Sequence, residues 1–373
     1  MINKIKVSLL TGITGLILCS CSTLPDRTKT AAASPSQESA PVEQKTTAIK
    51  PQAGQLEQAT VTPLGNPEQV NAFIKKMVTK HHFDEPALNQ LFNSVSMQSK
   101  IIDAMNKPAE AMPWHKYRKI FMTEARIDGG LKFWQANSET LRRVEQQTGV
   151  PAEIIVAIIG VETQYGSNKG SYRVIDALST LAFHYPKRSP FFTGELEQFL
   201  LLCREENIDP LKPVGSYAGA MGLPQFMPSS YRSFAADFEN DRRRDIWNNP
   251  ADAIASVANY FAKHKWKEGQ AIAYQATANG QKHRTLLNSA LKTDTTVGKL
   301  KAYQVQPLAS LPASLPVKLL AFEQTHGDDL WLGLDNFFVI TRYNHSPLYA
   351  MAVFQLSQAL TNRQQVTRAK PLR

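Results

Sequence analysis

The chain has 373 residues, with 42 Lys and Arg against 32 Asp and Glu for a formal charge of +10, and 43% hydrophobic residues. That length exceeds what one ordinary core organises, and the composition excludes a wholly disordered chain, a collagen and a multi-span membrane protein. All 17 Phe, 11 Tyr and 5 Trp lie at or after Phe73, so the stretch before it cannot belong to a normal core.

Lys4 and Lys6 precede an apolar run from Val7 to Leu18, which is followed by Cys19, Ser20 and Cys21. A basic start, a short apolar segment and small residues at a cleavage point read as an export signal over residues 1–20, too short to persist as a spanning helix. Leu18-Cys-Ser-Cys21 resembles the bacterial lipoprotein box, which makes Cys21 the lipidated start of the mature chain; a cleaved signal without lipid is the alternative. With Cys19 discarded and Cys21 blocked, Cys203 is the one thiol left and no intramolecular disulfide is expected. Residues 21–62, rich in Ala, Thr, Gln, Pro and Ser, bury too little apolar surface to offset ordering entropy and read as a flexible tether. Ser22 rather than Asp after the lipidated Cys implies sorting to the periplasmic side of the outer membrane in a Gram-negative host.

From residue 63 to 148 the pattern is helical: Val70, Phe73, Ile74 and Met77 recur at three- and four-residue spacing, and similar stripes run from Leu88 to Ile102 and from Lys132 to Val144. Gly149 and Pro151 mark the next join. Residues 149–280 continue as helices interrupted by loops rich in Gly, Pro and Ser. In residues 281–342 the runs Val317–Phe322, Leu330–Leu334 and Phe337–Thr341, bounded by turn residues, read as strands of a small β domain. Residues 343–373 carry a last helical stripe, Tyr349, Val353, Leu356 and Leu360, returning to the core. The fold class is α+β and predominantly helical.

The strongest chemical signal is the run from Pro151 to Gly166, a helix apolar on all sides that ends in the carboxylate Glu162. Ile155, Ile158 and Ile159 share its face at the preceding turns, and both desolvation and the negative end of the helix dipole favour the protonated acid. A carboxyl kept protonated near neutral pH is what general-acid cleavage of a glycosidic bond needs. Taken alone, the pattern favours an ordinary helix-end residue that reaches water past Gly166. The second signal runs from Ser216 to Tyr231, where Gly219 and Gly222 allow a ligand close to the backbone and Gln225 offers both a donor and an acceptor. By itself it reads as a tight connecting loop.

Together, Glu162-Thr-Gln-Tyr-Gly, Gly219-Ala-Met-Gly-Leu-Pro-Gln-Phe-Met-Pro-Ser and Ile340-Thr-Arg-Tyr-Asn-His-Ser resemble the membrane-bound lytic murein transglycosylase B family. The similarity continues in order through Trp114-His-Lys-Tyr-Arg, Ala258-Asn-Tyr-Phe and Tyr349-Ala-Met-Ala-Val, covering about residues 66 to 362. It implies a lysozyme-like catalytic core over residues 149–280, flanked by the helical domain and the small β domain. It also implies cleavage of the β-1,4 bond between N-acetylmuramic acid and N-acetylglucosamine in peptidoglycan, with one Glu, here Glu162, as acid and then base and a 1,6-anhydro product. Because the substrate's 6-hydroxyl is the nucleophile, no second carboxylate is needed, unlike in two-carboxylate glycosidases. Ser216, Gln225, Tyr260, Tyr343, Asn344 and Tyr349 carry over as substrate-binding residues, the tyrosines by ring stacking on sugars, with core packing as their alternative.

The resemblance also raises a calcium loop, with Asp237, Glu239, Asp241 and Asp245 as candidate ligands. Arg242 stands where an EF-hand needs Gly, Asn248 where it needs Glu, and three consecutive arginines oppose a cation, so an ion-paired loop is favoured and no cofactor is required. There is no His-Glu-x-x-His, Gly-x-Ser-x-Gly or Walker loop, and the Ser289-Ala-Leu-Lys292 match to penicillin-binding enzymes lacks its companion motifs. Nucleic acid conflicts with export, whereas the positive charge suits an anionic wall polymer. A lysozyme-type hydrolase using water and a non-catalytic wall-binding lipoprotein remain as other readings, and protein partners are not readable.

Overall fold

The structure, a computed structural model, describes residues 63–106 and 112–369. The expected export signal, Cys21 and the tether up to residue 62 lie outside the described residues.

Six helices come first: α1 (Pro67–His81), α2 (Glu85–Asn93), α3 (Ser99–Asn106), α4 (Trp114–Phe121), α5 (Glu124–Ala136) and α6 (Ser138–Thr148). Phe73, Ile74 and Met77 form the buried stripe of α1. The stripe from Leu88 to Ile102 is not one helix, because the backbone N–H groups of Ser96 and Gln98 are drawn off to Asp176 Oδ1 and Thr180 Oγ1, both at 3.0 Å. The stripe from Lys132 to Val144 breaks at Asn137, whose side chain caps the carbonyl of Phe133 at 2.8 Å.

Next come α7 (Ala152–Thr163), β1 (Tyr172–Arg173), α8 (Val174–His184), α9 (Ser189–Glu205), β2 (Val214–Gly215), α10 (Pro228–Phe234) and α11 (Pro250–Lys263). Gly149, at φ 68°, turns the chain into α7, which is buried around nearly its whole circumference. β1 and β2 pair antiparallel at the foot of the loop that follows.

The sheet comprises β3 (Ala273–Ala278), β4 (Thr295–Thr296), β5 (Val305–Pro307), β6 (Pro316–Glu323) and β7 (Asp328–Gly333), in the order β4-β6-β7-β3-β5 with every pair antiparallel. α12 (Val297–Leu300) follows β4. One face of the sheet, including Val317, Leu319, Leu330 and Leu332, encloses a small core of its own. The other turns Leu320 and Phe322 to the main core, where Phe322 packs on Trp114 of α4 at 5.3 Å between ring centroids.

Two sequence expectations need correction here. Phe337–Thr341 is not a strand but the middle of α13 (Asp335–Tyr343), with Asn336 to Thr341 all buried. Burial on every side removes the alternation that separates strand from helix, and Leu334, whose carbonyl accepts the Phe337 and Phe338 N–H groups, starts a helical turn. The sheet also begins before residue 281, since β3 is its fourth strand in spatial order. Finally α14 (Pro347–Ala369) lies along α7 and also touches α4 and α5, bringing residues far apart in sequence to the end of the buried helix.

Candidate active site

Glu162 sits in the last turn of α7, half-buried, with its carboxyl Oε1 accepting a 2.6 Å hydrogen bond from the Tyr349 hydroxyl of α14. Burial pushes its pKa up to about 7, against the opposing pull of the Tyr349 hydrogen bond. Tyr349 is itself buried, and both burial and the neighbouring carboxylate push its phenol up, so it stays protonated as a donor. Among the described residues no second carboxylate acts on Glu162.

The helix end is fixed to the second motif. Thr163 Oγ1 donates to the Leu223 carbonyl at 3.0 Å, joining the turn that carries Glu162 to the 216–226 loop. In that loop Ser216 Oγ accepts from the N–H groups of Ala218 (3.3 Å) and Ala220 (3.0 Å), and Met221 exchanges backbone bonds with Phe226. Gly222 has φ 67°, and a Cβ there would lie 2.5 Å from the Ile246 carbonyl, so only glycine lets the loop close. Gln225 is held at φ 51°, with its side-chain amide donating to the carbonyls of Gly222 (2.9 Å) and Lys169 (3.3 Å). Its carbonyl oxygen is then the group it has to offer a ligand.

The predicted tyrosines form one aromatic wall. Tyr343 donates to the Pro224 carbonyl at 2.6 Å and lies nearly parallel to Tyr349, 9° between planes and 6.4 Å between centroids. Tyr260 packs 4.8 Å from Tyr343, but it is 7% exposed and its hydroxyl is given to the Arg342 carbonyl. In this placement Tyr260 backs the wall rather than presenting a free ring. Asn344 follows α13 as its half-buried C-cap. Tyr117 of α4 is a residue the sequence reading left unassigned. It is buried and lies close enough to Tyr349 to act on its phenol, and the Trp114-His-Lys-Tyr-Arg motif was the signal for it.

The proposed metal ligands are turned to other uses. Asp237 accepts from the N–H groups of Asp241 (3.1 Å) and Arg242 (2.7 Å), and Asp241 from that of Arg243 (2.8 Å). Asp245 accepts from Trp247 and Asn248, both at 2.9 Å, and Glu239 from the Asn249 side chain at 2.9 Å. Arg242 occupies φ 70°, Arg244 pairs with Glu206 of the chain after α9, and buried Asp252 receives the N–H groups of Phe238 and Asp245. Among the described residues no three His, Cys, Asp or Glu side chains converge as ligands. A cavity of about 330 Å³ beside this loop, lined by Arg143, Gln147, Asp237 and Asn259 among others, holds none of the residues around Glu162.

The family model described as "Transglycosylase SLT domain" matches residues 65–358. The membrane-bound lytic murein transglycosylase B of Escherichia coli (strain K12) is 42% identical over 336 residues, covering 86% of this chain and 92% of its own. The soluble lytic transglycosylase SltB1 of Pseudomonas aeruginosa has a similar structure, with TM-score 0.77 and 46% identity over 80% of this chain and 99% of that one. The Escherichia coli lytic transglycosylase Slt35, solved in complexes with bulgecin A and with calcium, gives TM-score 0.76 and 43% identity over 82% of this chain and 96% of its own.

Proposed function

The chain belongs to the transglycosylase SLT domain family and is a lytic murein transglycosylase, and on that premise we propose that Glu162 carries both proton transfers of the reaction. In the first step its protonated carboxyl gives a proton to the glycosidic oxygen leaving the muramoyl anomeric carbon. In the second its carboxylate takes the proton of the muramoyl 6-hydroxyl, which bonds to the same anomeric carbon and closes the 1,6-anhydro ring. A group used first as acid and then as base works best with a pKa near the working pH, and the observation that carries the assignment is the Glu162 carboxyl at the end of buried α7, 2.6 Å from the Tyr349 hydroxyl, where burial raises its pKa. The Tyr349 hydroxyl, fixed 2.6 Å away, stabilises the carboxylate that the second step needs and aims it. A nucleophile supplied by the substrate agrees with the lack of an interacting carboxylate beside Glu162.

The substrate groove, in this reading, runs past Gln225, Tyr343 and Asn344, with Tyr260 and Tyr349, 7% and 2% exposed, and the Ser216 hydroxyl behind them. The Gln225 carbonyl oxygen would accept from a sugar acetamido N–H. The structurally similar SltB3 of Pseudomonas aeruginosa is solved in complex with NAG-anhNAM-pentapeptide, which supports a peptidoglycan fragment as ligand. Slt35 is also solved with calcium, and no step of the reaction written here requires a metal. For localisation we assign anchoring to lipid on Cys21 at the periplasmic side of the outer membrane. The lipoprotein box and the membrane-bound description of the Escherichia coli relative support it. No helix among the described residues is long and apolar enough to cross a membrane.

The test is digestion of purified peptidoglycan by the wild type and by Glu162→Gln, read by mass spectrometry of the released muropeptides. Wild type should release products one water lighter than hydrolysis would give, and the variant should bind the wall but release none. Hydrolysed products alone would transfer the role of nucleophile to water. Undiminished release by Glu162→Gln would remove Glu162 from the mechanism.

A further inference from the structure

Beneath the turn that carries Glu162 lies a buried cation for which the mechanism has no use. Arg126 of α5 is 8% exposed, and among the described residues no carboxylate pairs with it. Its guanidinium donates through Nη1 to the carbonyl of Gly160, two residues before Glu162, while its Nε finds no partner and its Cζ lies 5.3 Å from the centroid of the Phe121 ring. Burying a guanidinium without a counter-charge is unfavourable, and burial pulls its pKa down accordingly. An apolar side chain would pack α5 against α7 without that cost.

What the cation faces is the negative end of the catalytic helix. The Gly160 carbonyl is one of the last of α7, and besides Arg126 it accepts the Gln164 N–H at 3.2 Å. Immediately beyond, Gln164, Tyr165 and Gly166 stand in succession at φ 50°, 59° and 89°, a strained reversal for two residues with side chains. That reversal swings the Tyr165 ring back under the helix. A Cβ on Gly160 would lie 2.5 Å from the Tyr165 hydroxyl, and one on Gly130 of α5 would lie at the same distance. The ring therefore fits flush between α5 and α7, with its own hydroxyl buried and unpartnered and Arg126 its electrostatic neighbour.

We infer that Arg126 is a positioning residue: through the Gly160 carbonyl, and with Tyr165 as a spacer, it holds the final turn of α7 so that Glu162 meets the Tyr349 hydroxyl. The inference rests on Glu162 being the acid and base. It goes further in placing a remote cation, on a different helix and without substrate contact, in control of that group. Its effect on the Glu162 carboxylate is geometric, since it keeps the Tyr349 hydrogen bond that stabilises that carboxylate in register.

Arg126→Gln, Arg126→Lys and Glu162→Gln are compared with wild type on a soluble glycan, with kcat and KM followed across pH and rates normalised to the folded fraction from near-ultraviolet circular dichroism. Arg126→Gln should lower kcat about tenfold with KM within about twofold, and move the basic limb of the kcat profile to higher pH. Arg126→Lys should recover most of both effects. If Arg126→Gln does not fold, Arg126→Lys decides: the ammonium reaches the carbonyl less completely, so kcat falls about threefold at unchanged KM. Arg126 variants with wild-type kcat and pH profile per folded molecule, even at a lower melting temperature, would overturn the inference. Retained activity in Glu162→Gln would instead overturn the acid–base assignment beneath it.

Discussion

Glu162 is a destabilising residue in its own fold, and its pKa says by how much and where. The folded value of about 7 stands above the reference 4.5, so between those values the unfolded chain has released a proton that the folded chain keeps. Stability from this group therefore falls as pH rises from 4.5 to 7 and stays low above that. Glutamine keeps an oxygen for the Tyr349 hydroxyl and carries no such penalty. We expect Glu162→Gln to be more stable than wild type by on the order of 2 kcal/mol at pH 8, and the gain to vanish near pH 4. Urea denaturation at the two pH values checks this, and equal gains at both would contradict the burial origin of the shift. Glu162 was legible in the sequence because its cause is local: an all-apolar helix announces the desolvation of whatever charge ends it. Tyr165 and Tyr117 stood inside quoted motifs without a role, and Arg126 stood outside them, because what matters about each is a neighbour on another helix, which one-dimensional spacing does not carry.

Elements were legible where the apolar pattern ran over several turns and ambiguous where a covered run was short. The α1 stripe, Phe73, Ile74 and Met77, was read directly, and so was the last helix with Tyr349, Val353, Leu356 and Leu360, all 2% exposed or less. α13 was mistaken for a strand because both its faces are covered, and β3, Ala-Tyr-Gln-Ala-Thr-Ala, was missed because its inward residues are too small to make an apolar signal. How α1 is held was also invisible. Lys76, Lys80 and His81 converge from it on the buried carboxylate of Glu197 in α9, at 2.5, 2.8 and 2.7 Å. Burial pushes that carboxyl up, but the three hydrogen bonds outweigh it and hold the pKa at about 2, below the reference 4.5. The contribution is thus complete above pH 4.5 and lost as pH falls through 2. Both lysines are partly solvated, which screens the interaction. Glu197→Gln should cost about 2 kcal/mol at pH 7 and progressively less below pH 4.5, measured by chemical denaturation; a pH-independent loss would mean packing alone is at stake.

At the scale of the whole chain, a point for the boundary between tether and enzyme follows from what the first described residues do. Pro63 bridges to Ser96, Leu64 is 6% exposed, its carbonyl is hydrogen-bonded to the His184 ring, and the Asn66 side chain donates to the Phe183 carbonyl at 2.9 Å. These contacts fasten the entry to α1 onto the end of α8. Residues 22–62 carry no aromatic residue and are rich in Ala, Thr, Gln, Pro and Ser, a composition with little apolar area to offset ordering entropy. A mature chain shortened to begin at residue 63 should therefore keep the full unfolding free energy and the full kcat on soluble glycan. One shortened to begin at residue 67 loses the burial of Leu64, worth about 2 kcal/mol, and the Asn66 hydrogen bond, worth about 1 kcal/mol. Because the entry segment is held at Phe183 and His184, the opposite end of α8 from Val174 and Leu178, which face the 215–219 loop, that loss should appear in the denaturation midpoint and leave kcat per folded molecule unchanged. Paired denaturation and turnover measurements on the two shortened chains check both halves: a drop in kcat at residue 67 would tie the entry segment to the active site, and equal stability of the two would place the boundary later in the chain.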